Sequence, residues 1–148
     1  MPHTLISPSM HDKAPTPSGA AEPLTWSVLP AENEECRSPQ VLATWRSRIE
    51  ASQNPRAIYQ CPEYCDHVRL VEGGKIFLAL PRDSSGNLVG IAPLRLWPDY
   101  PLGFRIRGHT LARYRMPVVQ LLGTHPLVPH TPETWDKLLT TVATALPE

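Results

Sequence analysis

Cysteine is scarce: the chain has three, Cys36, Cys61 and Cys65, an odd number with no framework spacing. That excludes a small disulfide-stapled scaffold and fits a reducing compartment, so the expected location is cytoplasmic. Net charge is missing too, with 14 Lys and Arg against 14 Asp and Glu. No whole-molecule field then draws the protein to nucleic acid or to an anionic membrane, and neither is an expected partner; only a local patch could attract either. No uncharged apolar run approaches the ~18 residues of a membrane span, and the start lacks the basic-then-apolar layout of a signal peptide.

Proline, in contrast, is abundant. The 18 prolines and 8 glycines of the 148 residues make up roughly 18%, still below the ~25–30% of low-complexity chains. With 41% hydrophobic residues the length suits one domain. Residues 1–23 hold five prolines and no aromatic residue, too little apolar surface to offset the entropy of ordering, and are expected to form a disordered tail. Residues 24–148 form the expected domain.

Within it, residues 24–29 (LTWSVL) read as a short strand stopped by Pro30. Ser38 as cap and Pro39 at the first helical position open a helix, with Val41, Leu42, Trp45 and Ile49 on one face, ending near Ser52. A second helix starts at Pro62, with Cys61, Tyr64, Cys65, Val68 and Val71 as its apolar stripe, and Gly73-Gly74 closes it. Residues 75–80 (KIFLAL) are a continuous apolar run, as in a central strand covered on both faces. The turn cluster of residues 83–87 leads into residues 88–97 (LVGIAPLRLW), predicting a hairpin with a bulge or an edge near Gly90 and Pro93. Residues 103–107 alternate Phe104 and Ile106 with Arg105 and Arg107 like a half-solvated strand, and residues 118–122 suit another. Thr131, Pro132 and Glu133 open a last helix, with Trp135, Leu138, Leu139, Val142 and Leu146 in its stripe. The fold class is therefore α/β in the α+β sense: a mixed, mostly antiparallel sheet flanked by helices.

Three local words carry a resemblance. Residues 58–64 (IYQCPEY) resemble a Phe-Gln-Ser-Pro-Glu-Tyr helix opening, residues 88–96 a "LVGIAPLxL" strand, and residues 120–123 (QLLG) an "LLG" strand end. In this order and spacing they resemble the N-terminal GNAT-like half of bacterial double-domain acetyltransferases of the CelD-like and FemAB-like (BioF2-like) type, over residues 24–148. The resemblance implies an acyltransferase domain moving an acyl group from acetyl-CoA or another acyl-CoA, or from aminoacyl-tRNA on the FemAB side, to the amine or hydroxyl of a small-molecule acceptor. It also implies that the catalytic groups and most of the CoA site lie in a second half, the missing partner of an incomplete domain. A gene fragment, one member of a split pair, and a small domain pairing with itself as a homodimer all fit.

GNAT enzymes hold the CoA pyrophosphate on a (Gln/Arg)-x-x-Gly-x-(Gly/Ala) loop opening a helix, where free N–H groups and the helix dipole meet the phosphate. Gln120, Gly123 and Thr124 match its early positions, but His125 is bulky where backbone should approach phosphate, and a plain strand end is the competing reading. Cys61, Cys65 and His67 are too few for a structural zinc, and buried reduced thiols explain the two cysteines, so no metal is expected. His109, His125 and His130 lack an accompanying carboxylate at telling spacing, and no catalytic base is assigned. From Arg95 to Arg115 five arginines stand against one acid, Asp99, among Trp97, Tyr100, Phe104 and Tyr114. Arg95, Arg105, Arg107 and Tyr114 are thus candidates for an anionic-substrate or partner patch, with a solvated strand face as the plain reading. That patch sustains an alternative function, a non-enzymatic interaction module.

Overall fold

The computed structural model describes residues 23–123 and 125–146. Apart from Pro23, the expected tail lies outside the described residues, as do Thr124 and the last two positions. The element order is β1 (Thr25–Pro30), α1 (Pro39–Ala51), α2 (Pro62–His67), β2 (Lys75–Arg82), β3 (Ala92–Ile106), β4 (His109–Leu121) and α3 (Pro132–Ala145). Short 3-10 turns at Glu35–Arg37 and Pro55–Gln60 lead into α1 and α2, and one π turn, Val68–Glu72, prolongs α2. The sheet runs β1-β2-β3-β4, every pair antiparallel. The class is α+β, and the mixed sheet expected from sequence is antiparallel throughout the described strands.

β2 explains the layering. Its alternate side chains Ile76, Leu78 and Leu80 are buried on one face with Val41 and Trp45 of α1 and Cys65 and Val68 of the α2 segment. Phe77 and Ala79 point to the other face, where Ala92 and Leu94 of β3 meet Leu138 and Val142 of α3. A strand apolar on both faces needs a cover on each, so helices sit on both sides of the sheet. Among the described residues no helix is long and apolar enough to cross a membrane.

The helix ends follow their local chemistry. The Ser38 side chain accepts from the Val41 N–H, and Thr131 accepts from Thr134 N–H, each followed by proline at the first helical position. Arg37 fastens the α1 lead-in to α2: its Nη1 donates to Asp66 Oδ2 at 2.9 Å, its Nη2 to Oδ1, and its Nε to the Ala31 carbonyl at 2.9 Å. Two stripe positions are corrected. Val71 is 68% and Leu139 64% exposed, Val71 because the π turn breaks the 3.6-residue register after His67.

The larger difference lies in β3 and β4. The short strands expected at residues 103–107 and 118–122 are parts of one long hairpin, closed by Arg107 and Gly108 with φ of 48° and 82°. Positive φ at both central residues is the two-residue turn whose twist matches its strands. β3 pairs in register with both neighbours only over Leu94 to Leu96, so beyond Trp97 the hairpin projects as a two-stranded arm. Bulges fall between Trp97 and Tyr100 and between Phe104 and Arg105, while Pro93 lies where the register pairs β3 with β2 alone, one step before the pairing with β4 begins. Gly90 instead lies in the approach to β3, where an added Cβ would come within 2.5 Å of the Leu127 carbonyl oxygen. Pro98 and Pro101 sit in the arm, where one side of β3 has no ladder to break.

The hydrogen bonds from Arg37 hold the Asp66 carboxyl below the usual carboxylate range. A depressed folded-state value stabilises the fold above the unfolded value of about 4, and that contribution disappears as pH falls through the folded one. Urea midpoints of Asp66→Asn should therefore fall below wild type at pH 7, and the gap should close on acidification below about pH 4.

Candidate functional site

Three places gather the chemistry-bearing residues: the loop after β4, the bracket around Arg95, and the arm. At the first, β4 ends at Leu121, and the buried Leu122 donates its N–H to the Pro93 carbonyl at 2.9 Å. Gly123 has φ 81°, and a Cβ there would lie 2.2 Å from Gln60 Nε2. Gln60 is 1% exposed and donates across to the His125 carbonyl. The chain then pairs Leu127 with Ile91 through two 3.0 Å backbone bonds. Contact with Gln60 thus accounts for the glycine without a ligand. Gln120 is exposed, opposite Arg95 in the register, and Thr124 lies outside the described residues.

Beyond the loop, Trp135 Nε1 donates to His130 Nδ1 at 3.1 Å, and the His130 ring stands 5.9 Å from both the His125 and Trp135 rings. With Nδ1 accepting, neutral His130 carries its proton on Nε2. No histidine forms an ion pair with a carboxylate among the described residues. A shallow cavity of about 420 Å³ lies beside this loop, with Arg48 and Ser52 of α1 facing Pro126 to Pro129.

Arg95 leaves the expected patch. Its side chain is 4% exposed, with Nη1 on Glu72 Oε2 at 2.5 Å and Nη2 donating to the carbonyls of Glu72 at 2.9 Å and Gly73 at 2.7 Å. Its guanidinium lies 3.6 Å over the Trp97 ring. The planar, multiply donating head closes the end of the π turn, leaving no accessible cation there. Gly74, at φ 88°, passes so close that a Cβ would sit 3.0 Å from Arg95 Nε.

On the arm the register sorts what the sequence interleaves. Tyr100 faces Met116, Leu102 faces Tyr114 and Phe104 faces Ala112 on one face; Pro101 faces Arg115, Gly103 faces Arg113 and Arg105 faces Thr110 on the other. Neighbouring residues of a strand point to opposite faces, so Arg105 and Tyr114 are parted, while Arg107 belongs to the turn. Arg113 and Arg115 join Arg105 instead, Arg115 pairing with Asp99 at 2.5 Å. The apolar row was readable in the unbroken alternation of Tyr100, Leu102, Phe104 and Ile106. An Arg-Gly turn hides the hairpin that completes it, lacking the asparagine or aspartate that marks such turns.

The cysteines are accounted for locally. Cys61 Sγ accepts from the Tyr64 N–H at 3.3 Å as the cap of α2, and Cys36 and Cys65 are buried. No group of three or more His, Cys, Asp or Glu is placed to hold a metal among the described residues. Compared with protein-family models, curated proteins and solved structures, the chain matches none.

Two measurements check this account. Gly123→Ala should destabilise by about 1–3 kcal/mol in urea titrations, since it adds both a clash and a strained φ, and the loss should shrink in a Gln60→Ala background because the two sites share the contact. Burial pushes the Cys36 thiol up to about 11 and Cys65 up to about 12. A chromogenic disulfide reagent at pH 8 should leave both untouched in the native protein and titrate all three cysteines in urea.

Proposed function

We propose that the chain forms the first half of a GNAT-like acyltransferase unit of the CelD-like and FemAB-like type, which acts with a second half and is catalytically incomplete alone. The observation that supports this most is the topology: strand, two helices, three further strands in sequential antiparallel order, then a helix on the face of the sheet. That is the order the resemblance implies, and β4 is left as an edge strand. α3 crosses that face to lie over β1, and a helix that follows an edge strand and packs on the sheet is what the first part of a strand-helix-strand crossover looks like.

In the joined unit the acceptor amine or hydroxyl attacks the thioester carbonyl of the acyl-CoA. The acceptor loses its proton to a base, the carbon–sulfur bond breaks, and CoA leaves as the thiol. The described histidines stand without carboxylate partners and Arg95 is consumed in structure, so the base and the CoA cradle are assigned to the second half. This half contributes the rigid sheet and its edge.

A second reading, a non-enzymatic interaction module, is favoured by the exposed apolar row of the arm. Calorimetric titration with acetyl-CoA separates the two. The chain alone should give no saturable heat, and the same chain joined in frame to the polypeptide encoded downstream should bind saturably. Binding by the chain alone would overturn its incompleteness; silence from the joined form would overturn the acyltransferase reading in favour of the module.

A further inference from the structure

The arm exposes more apolar surface than a free ribbon in water should keep. Tyr100 is 39% exposed, Leu102 40%, Phe104 59%, Ile106 51%, Tyr114 64% and Met116 46%. Taking about 200 Å² for a large side chain, these six leave roughly 600 Å² of apolar surface, at the top of the range for the largest patch on a monomer. A lone two-stranded hairpin is also marginal in water, so this ribbon gains from a cover.

We propose that the cover is a second copy of this chain: two arms pack apolar face to apolar face about a two-fold axis. The area supports this occupant, because two such faces remove about 1,200 Å², the lower bound of specific interfaces. The packing is sheet on sheet at about 10 Å, and a two-fold closes it at two copies. Charge supports it as well. Arg105, Arg113 and Arg115 lie on the opposite face by register and stay in water in both copies.

The same distribution disfavours the other occupants. Edge-to-edge pairing of two β4 strands about Tyr114 would set Arg113 opposite the second copy's Arg115 on one face of the joined sheet, and Pro117 has no N–H to offer. A nucleic acid would need its stacking rings and its cations on one surface, and the register separates them. An anionic bilayer meeting the apolar row would find the arginines turned away from its headgroups.

The experiment is sedimentation velocity of the full chain from about 5 to about 500 μM, since association at this area is weak and concentration-dependent. Wild type should pass from monomer to dimer across that range. The double variant Phe104→Glu, Tyr114→Glu, altering two exposed side chains and checked for an unchanged circular dichroism spectrum, should remain monomeric. Arg105→Gln, Arg113→Gln should dimerise as wild type does. A wild type monomeric at every concentration overturns the proposal, and so does a dimer that survives the glutamates or is lost with the arginines. Flotation of a monomeric wild type with phosphatidylserine vesicles would also overturn it, making a membrane the occupant. Acetyl-CoA binding by the joined form is a separate readout and stands or falls independently of this one.

Discussion

Everything in this fold depends on β2 being apolar on both of its faces. A strand with Ile76, Leu78 and Leu80 on one side and Phe77 and Ala79 on the other cannot lie at a surface, so the chain must supply strands at its flanks and helices above and below it. β1 and β3 take the flanks, α1 and α2 one face, α3 the other. The short loops between these elements are then held by a few multivalent side chains. Arg37 joins the turn after β1 to α2, Arg95 closes the π turn, and Gln60 ties the start of α2 to the loop after β4. Each is a long polar residue whose terminal nitrogens donate to backbone carbonyls or a carboxylate where the elements meet.

Where local chemistry decides the outcome, the sequence was sufficient. Ser38 with Pro39 and Thr131 with Pro132 mark helix starts because a capping oxygen and a fixed φ act within a single turn. The run KIFLAL marks the central strand because only burial on both faces tolerates it. Where tertiary contacts decide, the sequence was mute. Nothing local shows that Arg95 is covered by the end of the preceding helical segment, nor that Gly123 is required by Gln60, 63 positions earlier. Val71 falls between the two cases, since one extra residue in a helical turn rotates everything after it.

The arm shows how composition misleads when register is unknown. A stretch with five arginines and several aromatic rings looks like one surface of mixed character, and a strand's period of two turns it into two surfaces of opposite character. The bulge between Trp97 and Tyr100 matters to this division. By offsetting β3 by one residue it brings the Tyr100 ring to the side of Trp97, 6.0 Å away, so the apolar row begins where the Arg95 and Trp97 stack ends. A strand without that offset would have carried Tyr100 to the arginine face, and the row would have been broken at its root.

The two contacts proposed for β4, with a second half and with a second copy, would therefore not compete. Near the body, residues 118–121 pair with β3 on one side and offer an open edge on the other, where a further strand gains main-chain hydrogen bonds. Along the arm, edge pairing is handicapped by Pro117 and the arginine row, and the exposed face carries the apolar area instead. Hydrogen-bonding groups would drive the first of these proposed contacts and area the second. A proline at the boundary keeps them apart, because it removes an edge donor at the point where the ribbon leaves the sheet.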